Sequence, residues 1–176
     1  MDDKHYVPIL VGTSRKKNLS SKVAKFVCHE VDRFGFESDC IHPIDHLEYA
    51  VTARAGQEIK KRTTWHTTMN RAAALIIVTP EYNHGYPGEL KLMIDTLYEE
   101  YEGKPVLVFG VSDGRMGGAR AVENILPVLA AIKMCYIKTD VYFSRVDKLL
   151  SDRGSFKSEK YKQRVEAALK KLEAIL

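Results

Sequence analysis

Three segments of this 176-residue chain gather residues whose types and spacing suit ligand chemistry. The first is Gly12-Thr13-Ser14-Arg15-Lys16-Lys17-Asn18-Leu19-Ser20, where hydroxyl and amide donors crowd a loop that opens a helical pattern. Free backbone N–H groups at a helix start, with the helix dipole behind them, attract an anion. Arg15, Lys16 and Lys17 stand where that dipole disfavours positive charge, a conflict that a bound phosphate would relieve. No Gly-Lys-Ser/Thr closes the loop and no GxGxxG runs through it, so it is neither a nucleotide-hydrolase P-loop nor a dinucleotide fingerprint. The competing reading is an ordinary polar turn with a serine cap and solvated lysines.

The second segment, Thr79-Pro80-Glu81-Tyr82-Asn83-His84-Gly85-Tyr86-Pro87-Gly88, holds two tyrosines, two prolines and two glycines. Such a loop is stiff, with flat surfaces and free N–H groups, and suits a planar heteroaromatic ring with polar edges; the alternative is a structural turn. The third, Ser112-Asp113-Gly114-Arg115-Met116-Gly117-Gly118, has three glycines that allow close backbone approach to a ligand, or that make a flexible connection. No nucleophile–base pairing stands out. His42 and His46 are four apart, but Pro43 between them argues for loop residues over a shared helical face. Cys28, Cys40 and Cys135 form no CxxC pair and no Cys/His cluster; they read as reduced, small buried hydrophobes, with no metal site. Trp65, the one tryptophan, reads as a core or subunit-interface residue.

The elements that must position these loops follow from periodicity. Residues 6–11, 36–41, 74–78, 105–111 and 134–143 read as strands, the second polar enough for an edge. Residues 20–34, 54–73, 88–98, 119–132 and 158–175 read as helices, with Ser20 or Ser21 capping the first and Pro127 kinking the fourth. Strand and helix alternate five times, and several strands are continuously apolar. That implies a five-stranded parallel sheet with helices on both faces, in the 2-1-3-4-5 order of a flavodoxin-like α/β fold. Ligands of such sheets sit at the carboxyl ends of the strands, where all three loops emerge. Residues 1–176 read as one domain, without repeat or linker.

With 45% apolar and 28% charged residues, the composition is that of a soluble globular chain and not of a disordered one. No apolar run approaches membrane-spanning length, and the acidic opening Met1-Asp2-Asp3 is unlike a secretory signal, so a cytoplasmic protein is expected. The net charge of +4 suits a small anionic ligand; the cluster Lys60-Lys61-Arg62 is most simply a solvated face, and no nucleic-acid partner is implied.

Three motifs carry a family resemblance: GTSRKKNLS after the first strand, TPEYNHGYPGELKLMID after the third and SDGRMGGARA after the fourth. Together they resemble the NADPH-dependent FMN reductase family, flavodoxin-like proteins that include quinone and azo-dye reductases. The resemblance runs from about Tyr6 to Phe143, and Pro80-Glu81-Tyr82-Asn83 followed by Pro87-Gly88 is its most specific part. The family's Gly-Ser-x-Arg-x-x-Ser is filled here by Gly12, Thr13, Arg15 and Asn18. By resemblance, Thr13, Arg15, Asn18 and Ser20 hold the FMN phosphate. Pro80, Glu81, Tyr82 and Asn83 line the isoalloxazine ring, and Ser112, Gly114, Gly117 and Gly118 approach its other edge. Many members have serine where this chain has Gly85, so only backbone contacts carry over there.

The resemblance implies hydride transfer from NADPH or NADH to bound FMN and onward to a small-molecule acceptor in a ping-pong cycle, without a protein catalytic residue. His84 and Tyr82 are placed to touch substrate. A homodimer or homotetramer is also implied. A non-enzymatic electron carrier and a flavin redox sensor are the rival readings. A phosphoryl receiver is excluded, because Gly12-Thr13 and Thr79-Pro80 stand where it needs acidic residues.

Overall fold

A computed structural model describes residues 4–47, 60–150, 156 and 158–176, the side chains of 60–63 aside. In chain order its elements are β1 (Ile9–Val11), α1 (Leu19–Phe34), β2 (Cys40–Ile41), α2 (Pro43–His46) and α3 (Lys60–Arg71). There follow β3 (Leu75–Pro80), α4 (Gly88–Ile94), β4 (Pro105–Val111), α5 (Ala119–Ala131), β5 (Cys135–Tyr136), β6 (Tyr142–Phe143) and α6 (Glu159–Glu173). Every strand pairing is parallel, and the order is β2-β1-β3-β4-β5, with β6 also on β4. The expected flavodoxin-like order is therefore present, with β2 at one edge.

Alternating side chains sort the core onto two faces of this sheet. Ile76, Val78, Leu107 and Phe109 pack with Val23, Val27, Val165 and Leu169 of α1 and α6. Leu75, Ile77, Val106 and Val108 pack with Trp65, Leu90, Met93 and Ile125 of α3, α4 and α5. Trp65 is fully buried and donates its Nε1–H to the Tyr101 hydroxyl at 3.0 Å, a core role as expected. Among the described residues no helix is long and apolar enough to cross a membrane.

Several local expectations need correction. The fifth strand is not continuous: β5 and β6 are separate segments on the same edge of β4. Between them Ile137, Thr139 and Val141 are buried while Lys138 and Asp140 are exposed, so the alternation persists although the ladder is interrupted. Cys135 is exposed, out of phase with that alternation, and Cys28 and Cys40 are half-buried, so none is the fully buried residue expected. The cap of α1 is Asn18 and not Ser20 or Ser21. His46 is helical, because Pro43 starts α2 at the one position where a missing N–H costs nothing, and His42 precedes it as N-cap. Helix α5 continues through Pro127. The first six residues of the helix expected over 54–73 lie outside the described residues, as do the side chains of the Lys60-Lys61-Arg62 cluster.

Candidate functional site

The three loops meet at the carboxyl edge of β1, β3 and β4 and enclose a cavity of about 280 Å³. Close packing brings the first two together. A Cβ on Gly12 would lie 2.9 Å from the Thr79 Cα, so only glycine lets the ends of β1 and β3 run this close. The Glu81 N–H donates to the Val111 carbonyl at 3.3 Å, which ties the second loop to the third.

The first loop supplies the cationic end. Asn18 shapes it from both sides: its Oδ1 accepts from the Ser21 N–H and its Nδ2 donates to the Arg15 carbonyl, each at 2.6 Å. Those bonds cap α1 and fold the loop back across its N-terminus. Arg15, Lys16 and Lys17 are exposed along the cavity, and no acidic residue stands in the first turn of α1 to neutralise them. Ser20 lies at the floor, almost wholly buried. Thr13 is fully buried and is not part of the cavity wall. Its hydroxyl donates to Glu89 Oε1 at 2.8 Å, and the Ser14 N–H donates to the same oxygen at 3.1 Å. Burial pushes the Glu89 carboxyl up, but hydrogen bonds from its own amide, Ser14 and Thr13, with the charge of Arg15, outweigh this and hold it below the usual range.

The second loop supplies the flat wall. Tyr82 and Gly85 exchange N–H···O bonds of 2.9 and 3.0 Å, closing a two-residue turn over Asn83 and His84. Both central residues have positive φ, 49° and 66°, as that turn geometry demands. They are exposed and stand outside the cavity, whereas Pro80, Glu81 and Tyr82 line it. Helix α5 braces this loop at two points. Arg120 Nη1 meets Glu81 Oε1 at 3.2 Å, and Asn124 Nδ2 donates to the His84 carbonyl at 2.7 Å. The other carboxylate oxygen of Glu81, Oε2, is buried without a hydrogen-bond partner.

The third loop contributes Val111, Ser112 and Asp113. Gly114 is exposed beyond them, its N–H donating to Ser112 Oγ at 3.0 Å. Gly117 and Gly118 are buried against the backbone of β4 and β6 and do not reach the cavity. Of the residues expected at the site, the fold thus brings together Arg15, Asn18, Ser20, Pro80, Glu81, Tyr82 and Ser112. Thr13, Asn83, Gly114, Gly117 and Gly118 stand beside or behind them. Val146, which closes the cavity from beyond β6, has no sequence signal near the three motifs. Glu89 and Arg120 do lie inside the quoted motifs, but they look there like ordinary first-turn helix residues.

A cationic helix start beside an aromatic wall suits a phosphorylated planar heterocycle, and comparison with known proteins agrees. The profile of the NADPH-dependent FMN reductases matches residues 6–148. A quinone reductase of Pseudomonas putida is 29% identical over 161 residues, covering 88% of this chain and 86% of that protein. An NAD(P)H-dependent FMN reductase of Saccharomyces cerevisiae is 43% identical over 74 residues, which cover 42% of this chain but only 38% of the yeast protein. In fold, the chain is similar to the flavoenzyme NAD(P)H:(acceptor) oxidoreductase FerB of Paracoccus denitrificans. The TM-score is 0.82, with 24% identity over 97% of this chain and 98% of FerB. The profile spans most of the chain, including all three loops, and the protein belongs to the NADPH-dependent FMN reductase family.

Proposed function

We propose that this protein binds FMN in the three-loop cavity and passes reducing equivalents from NAD(P)H to a small-molecule acceptor such as a quinone, an azo compound or free flavin. The observation that carries the reading is the joining of the Arg15-Lys16-Lys17 end to the Pro80-Glu81-Tyr82 wall in one cavity. Bound FMN supplies the hydride chemistry, taking two electrons from a nicotinamide and giving them to the acceptor. The protein's own residues bind and orient. Arg15 and its neighbouring lysines, with Asn18, Ser20 and the free N–H groups of α1, hold the phosphate. Pro80, Glu81 and Tyr82 would flank the ring, with the turn at Asn83 fixing their backbone. Ser112 would face the other edge, with Gly114 beside it, on a loop that Gly117 and Gly118 pin to the sheet. Donor and acceptor use the cavity in turn, which is a ping-pong cycle. Relatives named as quinone reductases and FMN reductases support this class of reaction. The working form in this reading is a cytoplasmic homodimer or homotetramer.

An absorbance titration with FMN followed by anaerobic NADPH tests the proposal. Flavin bands that shift on binding and then bleach with NADPH are expected. Binding without bleaching points to a carrier or sensor, and no binding at all removes the cofactor site.

A further inference from the structure

Thr13, Glu89 and Tyr82 form a relay whose proton order is fixed by counting. The Thr13 hydroxyl has one proton and two lone pairs. Glu89 Oε1, 2.8 Å away, belongs to a carboxylate that can only accept, so it takes that proton. The Tyr82 hydroxyl, 3.1 Å from Thr13 Oγ1, must then be a donor, and the Arg15 N–H at 3.3 Å fills the remaining lone pair. The Ser14 N–H, donated to the same Glu89 oxygen, is likewise taken from the pool of free amides around the cations. Glu89 comes from α4, Thr13 and Ser14 from the first loop, and Tyr82 from the second, so one carboxylate ties the two loops together.

We infer that Glu89 is a positioning residue that, through Thr13, commits the Tyr82 hydroxyl proton inward and holds the cationic loop against the aromatic wall. Toward a ligand, Tyr82 then offers oxygen lone pairs only, so the group beside it must be a donor. This rests on the proposed FMN site for its consequence, though the relay itself is a property of the ligand-free chain.

The test is a double-variant cycle on FMN affinity, read by quenching of flavin fluorescence. Glu89→Ala and Tyr82→Phe each weaken binding about tenfold, the ordinary effect of a lost, partly buried hydrogen bond. Glu89 and Tyr82 are linked through the Thr13 hydroxyl, so if the relay connects them the double variant is weakened about tenfold as well, not about a hundredfold. Glu89→Gln, whose amide oxygen accepts the same two bonds, recovers most of the affinity. A merely structural Glu89 would not give this pattern. If Glu89→Ala does not fold, Thr13→Val replaces it in the cycle. Multiplying single effects, or unchanged affinity in Glu89→Ala, overturns the inference. If the wild-type protein takes up no FMN, the functional proposal fails, and the same cycle on denaturation midpoints of the ligand-free variants decides the relay. Non-additive midpoints uphold it and additive ones overturn it.

Discussion

The guanidinium carbon of Arg15 sits over the face of the Tyr82 ring, 3.8 Å from its centroid. A flexible, exposed cation is thereby held at the boundary between the cationic end of the cavity and its aromatic wall. The stack itself adds little at an exposed site, on the order of 0.5–1 kcal/mol. Its use is to pre-orient a planar fork that can meet a phosphate with two bonds. Arg15→Ala should therefore weaken FMN about tenfold more than it weakens riboflavin, which has the ring but no phosphate. Arg15→Lys should fall between the two proteins. Equal losses for FMN and riboflavin would assign Arg15 to the ring and not to the phosphate.

His84 occupies the second central position of the Tyr82–Gly85 turn at φ 66°. A side chain there costs about 1–2 kcal/mol against the left-handed backbone, while glycine gives back part of the gain through its freer unfolded state. His84→Gly is expected to stabilise the protein by about 0.5–1 kcal/mol in urea unfolding. His84→Val should destabilise it, because a branched side chain tolerates that backbone worst. The imidazole is exposed and outside the cavity, so FMN affinity should hold in His84→Gly.

The sequence and the fold agree where short-range physics dominates. Continuous apolar runs at 75–78 and 105–111 declare strands covered on both faces, and strand–helix alternation leaves few alternatives to a doubly wound sheet. The three loops were legible for the same reason, since they follow apolar strands and open helices. Which residue in a loop faces the cavity was not legible. Thr13 has the right type and spacing for an anion ligand, but Glu89, 76 positions later, takes its proton. Gly117 and Gly118 look like ligand-approach glycines, yet the backbone they approach is their own sheet. Such choices depend on partners brought together only by tertiary folding, as does the break between β5 and β6.

Stability should respond to pH through Glu89. Its carboxyl is held below the ordinary value of 4.5 in the folded state, so between 4.5 and its folded value the unfolded chain binds more protons. The stabilisation is complete above about pH 4.5 and declines as pH falls through the folded value, where the relay's acceptor becomes neutral. Denaturation midpoints of wild type and Glu89→Gln should thus be separated at pH 6–7 and converge as pH falls through the folded value of Glu89. A separation that stays unchanged through the whole acid range below pH 4.5 would mean that the Glu89 charge contributes nothing to the fold.

Gly118, at the N-terminus of α5, separates two reasons for glycine. Its φ of 84° is strained for any side chain, and a Cβ would lie 2.6 Å from the Val111 N and 3.0 Å from the Gly110 Cα. Backbone atoms in the centre of a parallel sheet do not move aside, so Gly118→Ala should cost more than about 2 kcal/mol. Gly103 has a similar φ of 75° but open space around it, and Gly103→Ala should cost only about 1 kcal/mol, the conformational part alone. The difference between the two is the packing of the third loop onto β4. The same contact holds Ser112 and Asp113 at the cavity, so Gly118→Ala should weaken FMN binding while Gly103→Ala leaves it unchanged. Equal stability losses in the two variants would show that the loop yields easily and that Gly118 is required for its backbone angle only.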